Sequence, residues 1–258
     1  MTPPLMNKMR EYIGPIEDQY LRPFVADGDP AKCLVVLLGY NPANRITKDE
    51  ISPDRFCELL VSRAEFEQFY RNLRAKRKLA EGKVRFRSES TTRRRLRKVR
   101  EEFGGYDVAE MNLNALATDD LTQLKRSSPH TFKAGLEAAS WAASVVHPKL
   151  VIAFGAEIQI PNTVAEICDF SVSGRAKAIH ERIDFYDQAN WNQEPVQVAH
   201  IMIHLAARGK GLTDDLFSEI GRTIRTDFER SERTIAVTPT KFKPGTPPLN
   251  NKISIAGK

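Results

Sequence analysis

Residues Cys33 to Ala43 read CLVVLLGYNPA, and the expected architecture of the chain follows from them. Leu34 to Leu38 is an apolar run without a polar interruption. A strand covered on both faces has this pattern, and such strands belong to parallel sheets. The run stops at Gly39 and passes through Tyr40, Asn41, Pro42 and Ala43. Glycine opens backbone angles closed to other residues, and proline stiffens a turn. In open α/β sheets ligands bind just beyond the carboxyl ends of strands, so Asn41 is the first candidate functional side chain. An ordinary Asn-Pro turn with no chemistry accounts for the same letters.

Three later stretches repeat the strand-then-turn pattern. A second strand is expected within Tyr106–Thr118, YDVAEMNLNALAT, which ends in the polar cluster Asn112, Asn114 and Thr118. An asparagine amide donates and accepts together, which suits the edge of a nucleobase. An Asx turn explains the same residues. Leu150–Phe154, LVIAF, predicts a third strand, breaking at Gly155-Ala156; packing alone accounts for that glycine. Val196–Ile203 predicts a fourth, running into His204 and the glycine-closed basic loop Leu205–Gly211. His204 stands at the same end of the expected sheet as Asn41 and Asn114, and a structural histidine is the competing reading. His200 sits deeper on the same strand and is the weaker candidate.

Helices are expected over Leu5–Ile13, from Ser52 through Leu60, over Ala64–Leu79, over Thr131–Val146, and from Asp214 through Phe228. Ser52 caps the second of these, with Pro53 at its first position. The fold class is therefore α/β, three layers α/β/α around a central, mainly parallel, four-stranded sheet. Residues 1–32 form a helical cover, 33–230 the main domain with a basic insert at 71–105, and 231–258 an extended or disordered tail.

The formal charge of +6 over 258 residues favours an anionic partner. Positive charge concentrates in residues 71–100, including Arg85, Arg87, Arg93, Arg94 and Arg95, with Phe86 between two arginines. Such a segment suits nucleic-acid phosphates; a solvated basic helix or a loop is the plain alternative. Cys33, Cys57 and Cys168 are too scattered for a disulfide framework or a zinc site, which fits a reducing, cytoplasmic setting. No secretory signal, no membrane partner and a monomer are expected. Neither G-x-x-x-x-G-K-[ST] nor G-x-G-x-x-G occurs, which counts against the common nucleotide-binding enzymes.

GYNPA, NLNALAT, FGA and HLAARGKG, in that order over residues 33 to 225, resemble the uracil-DNA glycosylase superfamily. Its members carry a Gly-x-[Asp/Asn/Glu]-Pro turn after the first strand, an asparagine after the second, a glycine after the third and a His-Pro-Ser-type loop last. The resemblance implies that Asn41 positions the attacking water and His204 donates to the departing base. Tyr40, Asn112, Asn114 and Thr118 would line the base site, with Asn114 bonding the flipped base and Asn112 as the alternative. Arg208, Lys210 and their glycines would form the loop entering the duplex. Departures bear on substrate more than fold: Leu205-Ala206 replaces Pro-Ser, Ala43 replaces a glycine or tyrosine, and the basic insert and the absence of iron–sulfur cysteines are unlike ordinary or cluster-bearing members.

The implied activity is a monofunctional DNA glycosylase without metal or cofactor. It would hydrolyse the N-glycosidic bond of a flipped-out pyrimidine and leave an abasic site in DNA. The base would be uracil or, in antiviral defence, a hypermodified cytosine of phage DNA. An amide does not titrate, so Asn41 would only orient water, and rate would come from stabilising the departing base. Flipping costs a few kcal/mol, which phosphate contacts offset. A non-catalytic nucleic-acid-binding protein on the same fold is the alternative.

Overall fold

The computed structural model describes residues 3–40, 42, 44–83, 89–118, 121–155, 167–172, 177–180, 182–203, 205 and 212–237. In chain order the elements are α1 (Pro3–Ile13), β1 (Phe24–Ala26), β2 (Val35–Gly39), α2 (Pro53–Leu60), α3 (Arg63–Ala80), α4 (Thr91–Glu101), β3 (Val108–Asn112), α5 (Leu121–Arg126) and α6 (Pro129–Val145), followed by β4 (Leu150–Phe154), β5 (Phe170–Val172), β6 (Lys177–His180), β7 (Ile183–Trp191), β8 (Glu194–Ile201) and α7 (Asp214–Val237).

Successive side chains of β2 point to opposite faces, and both faces are covered. Val36 and Leu38 join one core with residues of α1, α2 and α6; Val35 and Leu37 join another with Leu96 and Val99 of α4 and Phe217, Ile220 and Ile224 of α7. This gives the α/β class its layers. Leu34, the first residue of the apolar run, lies outside the strand and is exposed.

The four expected strands are neighbours in one parallel block, ordered β3-β2-β4-β8. Their register runs Val35↔Val108 to Gly39↔Asn112, Val35↔Leu150 to Leu38↔Ala153, and Leu150↔Gln197 to Phe154↔Ile201. The expectation of a four-stranded sheet is corrected: the described sheet has eight strands. β1, from the supposed cover, adds antiparallel to β3, and β7 adds antiparallel to β8, with β5 and β6 on β7. The β7–β8 hairpin turns at Asn192 and Gln193, both left-handed, with φ of 49° and 68°. That is the backbone of a tight primed turn, and glutamine is an unusual residue for it, so the turn left little signal.

The basic segment contributes a helix, α4. Arginine is a good helix former, Ser90 accepts the Arg93 N–H as N-cap, and Leu96 and Val99 bury one face. α7 runs seven residues past the expected domain boundary at 230, and residues 238–258 lie outside the described residues.

Candidate functional site

A parallel block opens all its carboxyl ends at one edge, and here they meet. A Cβ built on Gly39 would lie 3.2 Å from Asn112 Oδ1 and 3.9 Å from Phe154 Cε2. Gly39, Asn112 and Phe154 thus converge from β2, β3 and β4, on the face that α4 and α7 cover. Gly39 lacks a left-handed φ, so its lack of a side chain matters for space rather than for turn geometry. The Asn112 side chain is half-buried and has no hydrogen-bond partner among the described residues.

Beyond the strands, β2 and β3 stay laced together. Leu113 N–H donates to Gly39 O at 2.9 Å, Asn114 N–H to Tyr40 O at 3.0 Å, and Thr118 N–H to Pro42 O at 3.1 Å. Residues on both sides of position 41 are therefore anchored to the 113–118 segment. Asn41 itself and His204, the two expected catalytic residues, lie outside the described residues, as do Arg85, Arg87, Arg208 and Lys210. Tyr40 is half-buried and packs between the small cluster that holds Leu21, Leu116 and Leu124 and the core beneath α1, α2 and α6, and Thr118 is half-buried.

Asn114 is corrected as a base-reading residue. It is 1% exposed; its Nδ2 donates to Phe132 O at 3.1 Å, and its Oδ1 accepts the Leu116 N–H at 2.9 Å. The amide is an Asx-type brace between β3 and α6. A Cβ on Gly135 would sit 1.9 Å from that Oδ1, so α6 approaches closely there because residue 135 is glycine. His200 Nε2 lies 2.9 Å from Gly155 O and, facing a carbonyl, donates to it. Gly155 has φ of 111°, a left-handed value that explains the glycine after β4 by conformation rather than by packing alone.

The arginines of the basic segment mostly turn inward. Arg93 bonds Glu110 and flanks the rings of Phe66 and Tyr70; Arg94 pairs with Asp214 at 2.8 Å. Arg95 is 5% exposed and donates to Leu205 O and Leu212 O. An expectation of phosphate contact by Arg95 is therefore corrected: its guanidinium is occupied by the fold. Glu110 also accepts from Arg63 at 2.7 Å and Arg100 at 3.2 Å. Burial alone would raise the Glu110 carboxyl, but Arg93, Arg63 and Arg100 overcome it and hold it at about 2. Burial lowers the nearby Arg22 to about 10, helped by repulsion from Arg93. Burial likewise pushes up the thiols, Cys33 and Cys168 to about 12 and Cys57 to about 11.

Phe154 stands at the candidate site without having been singled out from sequence: the last letter of an apolar run reads as core, and only the neighbouring glycine marks it as a strand end. Among the described residues no group of histidine, cysteine or acidic side chains has the arrangement of a metal centre, and no helix is long and apolar enough to cross a membrane. No protein-family model matches the chain, and no curated protein sequence matches it.

Proposed function

We propose that the chain is a DNA glycosylase of the uracil-DNA glycosylase type, acting on a flipped-out pyrimidine to leave an abasic site. The observation that carries this reading is the meeting of Gly39, Asn112 and Phe154 at the carboxyl edge of the parallel block, with an uncommitted amide between strand ends. Asn112, rather than Asn114, takes the role of reading the base edge, because only its amide is unengaged. The Phe154 ring, near the same Gly39 from the other side of β2, offers an apolar partner for a planar heterocycle. Asn41 and His204 follow the turns of the first and fourth parallel strands in the chain, the order the resemblance requires for the water-orienting amide and the donor to the leaving base. An anionic leaving base in a dry pocket gains most from such fixed donors.

The test incubates the protein with uracil-containing, mismatched and modified-cytosine phage DNAs, then cleaves abasic sites with alkali. Strand breaks with one substrate that vanish in Asn41→Ala and fall steeply in Asn112→Ala are expected. Salt-sensitive binding without abasic sites on any substrate would leave a non-catalytic nucleic-acid-binding protein.

A further inference from the structure

α7 buries Phe217, Ile220, Ile224 and Phe228 in the core. On its far side Glu219, Arg222, Thr223, Thr226, Asp227 and Arg230 line an open groove of about 470 Å³. Within that stripe Glu219, Thr223, Thr226 and Arg230 recur at spacings of four, three and four, the rhythm of a seam between two helices. Thr223 and Thr226 commit their hydroxyls to their own helix, donating to the carbonyls of Glu219 and Arg222 at 2.9 and 2.8 Å, which leaves their methyl groups for a neighbour. The charges around them are loosely held. Glu219 is exposed, and its carboxylate has no partner among the described residues. Arg222 is 66% exposed and comes no closer than 3.7 Å to Glu102; Arg230, equally exposed, pairs with Asp227 one turn back at 2.8 Å.

We propose that this stripe is an interaction surface and that its partner is a second copy of the chain, packed antiparallel about a two-fold axis between Thr223 and Thr226. That operation sets Glu219 of each copy opposite Arg230 of the other, twice over, and Thr223 opposite Thr226, with Arg222 and Asp227 level on the flanks. A parallel pair would put Glu219 on Glu219 and Arg230 on Arg230, so the charges select the antiparallel arrangement. They also select the partner. The stripe holds two acids and two bases and has no net charge, which gives a phosphate backbone nothing to bind. Residues 238–258 carry four lysines and no acid, a poor complement to a balanced stripe. The seam from Glu219 to Arg230 is about 17 Å long, less than a large interface needs, so the dimer is weak, half-formed near ~100 µM chain. Exposed ion pairs add little affinity and here set register. Arg95 ties Leu205, beyond β8, to Leu212, before α7, so α7 starts at the carboxyl edge of the sheet. Antiparallel pairing therefore sends the two carboxyl edges to opposite ends of the dimer and covers neither, and the inference does not depend on the glycosylase reading.

Sedimentation velocity on the full chain, freed of nucleic acid, tests the dimer between about 10 and 300 µM in low salt. The wild type should pass from monomer towards dimer over that range, and about 500 mM salt should shift it back. Glu219→Arg and Arg230→Glu each bring like charges together at two symmetric places and should weaken self-association about tenfold or more, with circular dichroism melting unchanged because both positions are exposed. The deciding arm mixes the two variants in equal amounts. Opposite charges then face each other again at both places, so two proteins that are monomeric alone should dimerise together, a result that damage to either fold would not produce. A mixture that stays monomeric overturns the antiparallel seam, as do single variants that associate like the wild type. A wild type that stays monomeric throughout overturns the dimer, whether the stripe is left to solvent or covered by residues 238–258 of its own chain.

Discussion

Asn112 keeps its amide uncommitted at a strand end, while Asn114 commits both ends of its amide to backbone partners. Substitution should separate them. Under the proposed glycosylase reading, Asn112→Ala is expected to lower excision by about a hundredfold, the scale of losing one aimed donor, with urea denaturation unchanged. Asn114→Ala should instead cost about 1–3 kcal/mol of stability in the same denaturation experiment, because the Phe132 carbonyl and Leu116 N–H are left without their partner. Gly135→Ala should destabilise similarly, by about 1–3 kcal/mol, since its methyl would land on the Asn114 amide. The thiols make a further test. With Cys33, Cys57 and Cys168 all pushed up by burial, alkylation at pH 8 should be slow in the native protein and fast for all three once urea unfolds it. From sequence, the resemblance favours Asn114 for the base and leaves Asn112 as the alternative, the reverse of what the folded amides allow. Which amide is free depends on the Phe132 carbonyl of a helix that follows later in the chain, and no local pattern reports that.

At the scale of elements, the joint between α3, α4 and the edge of the sheet is electrostatic. Glu110 on β3 gathers Arg63 from α3 and Arg93 and Arg100 from α4. Its carboxyl is depressed in the folded protein, so the stability it contributes is complete above the ordinary carboxyl value of 4.5 and is lost as pH falls from there through about 2. Acid unfolding followed by circular dichroism should therefore be steep in that window, and Glu110→Gln should flatten it. The same variant leaves buried arginines without their shared anion and should cost about 3–5 kcal/mol at neutral pH. The apolar elements were legible in advance. The third strand, Leu150–Phe154, matches residue for residue, and α2 begins at Pro53 with Ser52 accepting the Arg55 N–H as expected. α4 was hidden because its arginines resemble a phosphate-binding patch in one dimension. Several of their carboxylate partners, Asp214 for Arg94, Glu110 for Arg93 and Glu67 for Arg100, stand away in sequence and become visible only when the chain is folded. β1 was hidden by its length of three residues, too short for any alternation to register.

For the whole molecule, pairing with carboxylates, inward for some and at the surface for others, changes what the positive charge can do. Among the described residues of the basic segment, Arg77, Lys78, Lys83, Arg93, Arg94, Arg97, Lys98 and Arg100 all have carboxylate partners, whereas Arg71, Arg74 and Lys76 have none. Counterion release counts only cations that reach phosphate. Under the proposed glycosylase reading, the affinity for intact duplex DNA should therefore fall with salt with a logarithmic slope of about 3 to 5, shallower than the composition of the segment suggests, as fluorescence anisotropy from 50 to 200 mM salt would measure.

The described margins of the sheet are brief. β1 has three residues and is fully buried beside α2 and α3, and the opposite margin is carried by β5 and β6, with three and four residues. A foreign chain seeking to extend the ladder finds only short stretches of backbone to copy among the described residues. Concentrated solutions should accordingly resist fibril growth, with thioflavin fluorescence staying flat under conditions that leave the fold intact.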